Sequence, residues 1–292
     1  MADLSPFRGP REQAQFITTY DSIMRNWPIP FEEKDATTTF GETHIFASGH
    51  PSAPPLVLLH GASATSAMWS PIIAALSGTY RCYSIDTITD ANKSVATQPV
   101  HGITDYVDWL QQIFSALGIA KARVAGLSYG GWLGALLALH APDCVSHLVL
   151  LTPAATLAPL SIQFFVRMLT PSFLRSPFLM RRSAQWLSAT PNATSDPTVE
   201  LIVLNFMSCR PFRREMIPPT VLTDDDLRRI SMPVTVLIGD RDVIYRGGPK
   251  AALARAQEFI PNVRTQLLQG ANHMLTLDCP EALVAQISGA LA

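Results

Sequence analysis

Charge is what this chain has least of. Charged residues fill 15% of its 292 positions against 48% hydrophobic, and the two signs cancel to a net −1 with an isoelectric point near 6.6. So even a balance supplies no field to draw in nucleic acid or an anionic membrane, and neither is expected as a partner. The four cysteines, Cys82, Cys144, Cys209 and Cys279, are scattered without C-x-x-C or metal-ligand spacing. They read as reduced thiols filling core positions, with no metal site implied. No run of about 18 uninterrupted apolar residues is present to span a bilayer. The opening stretch, Met1 to Arg8, lacks the apolar segment of a signal peptide. Internal repeats and low-complexity tracts are missing too. The expectation is a soluble, cytoplasmic protein. Asn192-Ala-Thr194 matches a glycosylation acceptor, which carries no weight without a secretion signal.

What is present is an alternation of apolar runs and helical stripes. Phe16, Ile17, Tyr20, Ile23, Met24 and Trp27 recur at helical spacing, predicting an N-terminal helix over about residues 10–27 that Pro28 and Pro30 end. Thr37 to Phe40 and His44 to Ala47, split by Gly41-Glu42, read as a hairpin. Leu56 to Leu59, Arg81 to Asp86, Val145 to Leu151, Val234 to Ile238 and Arg264 to Leu268 read as buried strands. Helical stripes lie between them, at Met68 to Leu76, Tyr106 to Leu117 and Lys250 to Phe259. Asp278-Cys-Pro-Glu281 reads as the N-cap and first turn of a final helix. Strands alternating with helices predict an α/β fold, a mostly parallel sheet covered on both faces.

One region breaks the rhythm. Between Thr152 and Thr223 prolines accumulate among apolar helical pieces with no strand-like alternation. The domain reading is therefore a core of residues 1–152 and 224–292, with a helical cap, residues 153–223, inserted over the C-terminal edge of the strands. Ligands of open α/β sheets bind at that edge. The insert carries Phe164, Phe165, Met168, Phe173, Phe178, Met180, Trp186, Phe206 and Met207. Most are expected to pack together, with about a third facing substrate. Its cations (Arg167, Arg175, Arg181, Arg182, Arg210, Arg213, Arg214) are expected in solvent. Acids are few, Glu200 and Glu215 chief among them, which argues against an aminopeptidase.

The stretch that organises the rest is Arg123-Val-Ala-Gly-Leu-Ser-Tyr-Gly-Gly-Trp132. It runs from an apolar strand through Gly126-Leu-Ser-Tyr-Gly130 into an apolar helix, the strand–turn–helix context that gives G-x-S-x-G its meaning. The glycines permit close approach around a strained serine, and the helix N-terminus favours developing negative charge. A serine hydroxyl needs a base, and the base an orienting acid. Later in the chain two strands end in Gly239-Asp-Arg-Asp242 and in Leu268-Gln-Gly-Ala-Asn-His273, which puts both loops at the serine's edge of the sheet. Asp240 competes with Asp242, and the later position reaches further over the edge. The candidate catalytic residues are Ser128, Asp242 and His273. Leu58-Leu-His-Gly-Ala62-Ser63 breaks a strand at His60-Gly61 and offers a backbone N–H. With that of Tyr129, the N–H of Ala62 makes a two-donor oxyanion hole.

These residues give the chain a resemblance to the α/β-hydrolases, and more closely to the naproxen-type carboxylesterases. The likeness covers nearly the whole chain, including Phe40 to His44, Pro54 to Ala62, Met68-Trp69, Asp86 to Ser94, Gly126 to Gly131, Thr223 to Leu227 and Val243 to Tyr245. It implies the same three site residues. In the naproxen type the acid is glutamate where this chain has Asp242, and the loop Asp86 to Ser94 departs from the D-x-x-G-x-G-x-S of the wider superfamily. The function expected is hydrolysis of small to medium esters with apolar acyl or aryl groups through an acyl-enzyme, without metal or organic cofactor, by a monomer or homodimer. A carbon–carbon bond or amide hydrolase with the same residues is the alternative, and a non-catalytic ligand-binding protein a further one. Because His273 must be neutral to accept a proton, kcat/KM is expected to rise with pH to a mildly alkaline plateau.

Overall fold

The structure is a computed structural model that describes residues 4–210 and 216–291. Arg213, Arg214 and Glu215 lie outside the described residues. Helix α1 (Pro10–Met24) precedes strands β1 (Phe31–Thr38), β2 (Gly41–Ser48) and β3 (Pro55–Leu59). Then come α2 (Ser70–Ser77), β4 (Arg81–Ile85), β5 (Val95–Ala96), α3 (Ile103–Ala116), β6 (Ala122–Leu127), α4 (Tyr129–His140) and β7 (Val145–Leu151). Before the next strand lie α5 (Ile162–Leu174), α6 (Pro177–Trp186), α7 (Pro197–Ser208) and α8 (Asp224–Arg229). The chain continues through β8 (Val234–Gly239), α9 (Gly248–Phe259), β9 (Val263–Leu268), α10 (Leu275–Asp278) and α11 (Pro280–Leu291).

The strands form one sheet in the order β1-β2-β4-β3-β6-β7-β8-β9, with β5 beside β2. From β4 to β9 every pairing is parallel, whereas β2 pairs antiparallel with β1, β4 and β5. This is the α/β architecture expected. Central strands read as unbroken apolar runs because both faces are covered, and their side chains divide by the period of two. Val57, Leu59, Val124, Leu148, Leu150, Val236 and Ile238 enter a core shared with α3, α4 and α9. Their neighbours Leu56, Leu58, Ala125, Val149, Leu151 and Leu237 enter a second core with α1, α2 and α11. Helix α4, apolar all round and buried from Tyr129 to Leu139, runs through the first. The edge strand β1 carries Glu32, Glu33, Lys34 and Asp35, charges that discourage pairing with another sheet.

Local signals set the elements well and their ends less well. Helix α1 stops at Met24, short of the expected 10–27. Trp27 folds back instead, donating its N–H to the Met24 carbonyl and its indole N–H to Ser48 Oγ at 3.2 Å. Phe16, Tyr20 and Met24 are buried, and the Tyr20 ring lies 5.8 Å from that of Phe46, so the helix packs on its own sheet. The hairpin turns at Thr39-Phe40 rather than at Gly41-Glu42, since Thr38 pairs with Gly41. The final helix begins at Pro280. Asp278 is therefore not its N-cap but the last residue of α10, with its carboxylate committed elsewhere.

The cores hold several acidic hydroxyls and a thiol in neutral form. Burial, reinforced by the Asp86 carboxylate, pushes Tyr20 well above the ordinary phenol range, and burial with the Asp242 charge does the same to Tyr245. Burial takes the Cys82 thiol up to about 12. Each binds its proton more tightly folded than unfolded, so its contribution to stability is whole below the unfolded value and is lost as pH rises past it. The melting temperature should hold up to about pH 8 and fall steadily above about pH 9, where free thiols and phenols ionise. A melting temperature that stays level or rises to pH 11 contradicts this.

Candidate active site

At the end of β6 the chain turns on a single residue. Ser128 has φ +54° and ψ −113°, a region that non-glycine residues avoid at a cost of about 1–3 kcal/mol. Three backbone hydrogen bonds hold it there. Its N–H donates to Leu151 O at 2.9 Å, and its carbonyl accepts from Trp132 N–H at 3.1 Å and Ala154 N–H at 2.9 Å. The flanking glycines are demanded by contact. A Cβ on Gly126 would stand 2.1 Å from the Gly130 carbonyl oxygen, and one on Gly130 would stand 2.1 Å from that of Leu59. Both obstacles are backbone and cannot swing away. Gly126→Ala or Gly130→Ala should therefore destabilise by at least about 3 kcal/mol, or prevent folding outright. At Gly134 the added methyl meets flexible side-chain ends, Leu148 Cδ1 at 3.3 Å and Val124 Cγ1 at 3.4 Å. Gly134→Ala should stay within about 1.5 kcal/mol of the unaltered chain, helped by the helix propensity of alanine. Chemical denaturation of the three variants measures the contrast.

The loops after β8 and β9 meet at the same edge, joined by the Arg241 N–H to Ala271 O bond at 3.0 Å. This brings Asp242 and His273 together, His273 Nδ1 lying 3.1 Å from Asp242 Oδ2, with both side chains buried. Asp242 Oδ1 accepts the Ile244 N–H at 3.0 Å, fixing the carboxylate plane. With the carboxylate at Nδ1, that nitrogen carries the proton and Nε2 keeps its lone pair. Asp240 is placed otherwise. It is half-exposed and its Oδ1 accepts the Gly270 N–H at 2.8 Å, the work of a turn residue. His60 is likewise fully occupied. Its Nε2 accepts the Thr87 N–H at 3.0 Å, so Nδ1 is the donor to Gly61 O at 2.8 Å.

Gly61 packs directly on the serine, a Cβ there falling 3.4 Å from Ser128 Cβ. The amides of Ala62 and Tyr129 find no acceptor among the described residues. They are two unsatisfied donors on residues that line a cavity together with Ser128, an arrangement suited to a developing oxyanion. The loop carrying Ala62 is itself strained, with Ser63 at φ +60°. Its anchor is the buried Asp90, whose Oδ2 accepts the Ser63 N–H at 2.5 Å. From α7, buried Asn205 reaches Asp90 Oδ1 at 3.5 Å and Ala91 O at 3.3 Å. Sequence reading missed both residues. The one signal was that Asp90 sits in the unusual loop Asp86 to Ser94.

Two apolar cavities meet at Ser128, of about 320 Å³ and 190 Å³, sharing Ala62, Ser63, Phe164 and Phe206 in their walls. The larger continues past Tyr129, Phe165, Leu169 and Ile217, and the smaller past Met68, Val199, Ile202 and His273. Five of the nine bulky insert residues named above, Phe164, Phe165, Met168, Phe173 and Phe206, line these walls, more than the third expected. Among the insert's cations Arg210 lines the larger cavity, while Arg181 pairs with Glu200 and Arg167 covers the Trp186 ring.

The insert is also tied to the histidine. Leu187 O accepts the N–H groups of His273 at 3.0 Å and Met274 at 3.1 Å, and Trp186 O accepts the Asn272 amide at 2.9 Å. Asp278 completes the junction. Its Oδ1 accepts from Ser188 Oγ, Ala189 N and Thr190 N, and its Oδ2 accepts from Asn272 N at 2.7 Å. Among the described residues no group of three or more His, Cys, Asp or Glu is gathered to hold a metal ion.

Residues 56–286 match the model of the alpha/beta hydrolase family. An uncharacterized carboxylesterase (nap) of Bacillus subtilis is 35% identical over 272 residues, covering 91% of this chain and 88% of the relative. Carboxylesterase YbfK of the same organism is 30% identical over 286 residues, covering 96% and 94%. Among solved structures, the naproxen esterase (carboxylesterase NP) of Bacillus subtilis superposes with a TM-score of 0.90 at 31% identity, over 100% of this chain and 99% of that one.

Proposed function

The chain belongs to the alpha/beta hydrolase family, and from that premise we propose that it is a serine carboxylesterase acting on small to medium esters with apolar acyl or aryl groups. The observation that carries this is a single one. The strained Ser128 lines one apolar cavity with His273, whose Nδ1 faces the buried Asp242, and an adjoining one with Ala62 and Tyr129, whose backbone N–H groups have no acceptor among the described residues.

The chemistry follows from the roles proposed. Ser128 Oγ attacks the ester carbonyl while His273 Nε2 takes its proton. Asp242 keeps the proton on Nδ1 and stabilises the imidazolium that forms. Negative charge moves to the carbonyl oxygen, where the N–H groups of Ala62 and Tyr129 receive it, each worth about 3–4 kcal/mol. The imidazolium returns its proton to the departing alcohol. Water, deprotonated by the same histidine, then releases the acid and restores the serine. No metal or organic cofactor enters the scheme. Residues 153–223 act as the cap that closes the cavity and excludes water. The same proposal places the chain in the cytoplasm as a monomer or homodimer.

A panel of p-nitrophenyl esters graded by acyl length tests the reading, together with a fluorophosphonate probe. Turnover of apolar acyl esters and labelling of the peptide containing Ser128 are the expected results. Failure on every ester, with turnover of an amide or a carbon–carbon bond substrate, would overturn the ester assignment. Tight binding of a small molecule without any turnover would point to a ligand-binding protein instead.

A further inference from the structure

Apolar surface is distributed unevenly over this molecule. Of the large hydrophobic side chains exposed among the described residues, all but Val95 and Val221 fall between Ile162 and Phe178. On α5 they recur at Ile162, Phe165, Val166 and Leu169, the spacing of one helix face, and Leu174 and Phe178 extend the patch to α6. Exposures run from 39% at Leu169 to 77% at Ile162, too high for a helix seated on its own domain. A contiguous patch of this kind marks a surface that something covers.

The charge around it says what. From Cys144 to Ser195 the chain has no carboxylate, while Arg167, Arg175, Arg181 and Arg182 all fall on or between α5 and α6. Arg175 and Arg182 are exposed, and Arg182 lies over the Phe178 ring. The net charge of −1 for the whole chain hides this local excess. A second copy of the chain is a poor occupant, since a two-fold contact would set this cationic patch against itself. Position adds a further argument. Phe165 and Leu169 are exposed on the patch and also line the cavity of Ser128, so a protein seated there would stand across the cavity mouth. A lipid surface would leave the mouth facing the phase into which apolar esters partition.

We propose that the face formed by α5 and α6 docks on an anionic lipid bilayer, with the apolar stripe among the acyl–headgroup boundary and the arginines against lipid phosphates. An amphipathic helix with cations beside its apolar face binds such surfaces by both terms together. The orientation of the cavity rests on the esterase reading, whereas the docking itself does not.

Co-sedimentation of the full chain with vesicles tests it, comparing phosphatidylcholine alone with equal parts phosphatidylcholine and phosphatidylglycerol at low salt. Binding to the anionic vesicles should exceed binding to the neutral ones by at least about tenfold, and should weaken as salt is raised. The double variant Ile162→Asp/Val166→Asp should stay in the supernatant, yet hydrolyse a soluble ester at an unchanged rate, because neither side chain lines the Ser128 cavities. Arg175→Glu/Arg182→Glu should also lose binding, and Ser128→Ala should keep it. The proposal falls if the unaltered chain ignores anionic vesicles, or if both double variants still pellet with them. It falls equally if light scattering finds a dimer that Ile162→Asp/Val166→Asp dissolves. Should every preparation fail to hydrolyse esters while vesicle binding and its loss persist, the docking surface stands and the esterase reading is the one that fails.

Discussion

The Ser128→Ala protein is expected to hydrolyse p-nitrophenyl butyrate about 10⁶-fold more slowly in kcat, as when the nucleophile of an unrelated serine hydrolase is removed. Its melting temperature should remain within about 3 °C of the unaltered chain, a shift of about 1 kcal/mol for a domain of this size. The reason is that the serine's contribution to folding lies in its backbone. The bonds to Leu151, Trp132 and Ala154 all use main-chain atoms, and alanine tolerates φ +54° no worse than serine does. Ser172 lines the larger cavity, but its hydroxyl donates to Met168 O at 3.2 Å. A variant that retains even a hundredth of the activity would mean that the nucleophile is elsewhere. Loss of activity together with loss of fold would instead remove the distinction between backbone and side chain drawn above.

Asp242→Asn is expected to lower kcat about 10⁴-fold with a much smaller change in KM, by analogy with the serine proteases. An asparagine can be accommodated in the same volume and still face His273 Nδ1. Its amide then donates to the ring nitrogen that should carry the proton, and the tautomer that leaves Nε2 free is no longer favoured. The paired control is Asp240→Asn, which should cost at most about tenfold, because the turn keeps an acceptor for the Gly270 N–H. Steady-state kinetics of the two proteins separate the roles. If the large loss falls on Asp240 and Asp242→Asn stays active, the acid has been assigned to the wrong residue.

The candidate site residues were legible in the sequence because each is announced by its own few neighbours. Gly126 and Gly130 bracket Ser128 within five residues, the first because a Cβ would strike Gly130 O and the second because a Cβ would strike Leu59 O. Asp242 and His273 each follow an apolar run that ends at the same edge of the sheet. What stayed hidden works over long separations. Asp278 looked like a helix cap from Asp-Cys-Pro-Glu, a pattern that is purely local. In the fold its carboxylate serves Ser188, Ala189 and Thr190, some ninety positions earlier. Asp90 and Asn205, 115 positions apart, meet through a chain path no periodicity reveals. The stripe on α5 shows a further limit. Most of the insert's bulky apolar residues were expected to pack together, yet an apolar side chain does not state what it lies against. The overall sheet was readable because long apolar runs at βα spacing admit few arrangements.

The bonds from Leu187 and Asp278 bear on how such a protein diversifies. A helical insert joined to its host only through its two ends would be exchangeable, one sequence replaced by another to change the substrates admitted. Here the insert's middle shares its hydrogen bonds with the segment from Asn272 to Asp278, so those two stretches are inherited together or not at all. A chimera that imports a relative's insert while keeping this chain's residues 272–278 inherits a histidine whose footing belongs to another protein.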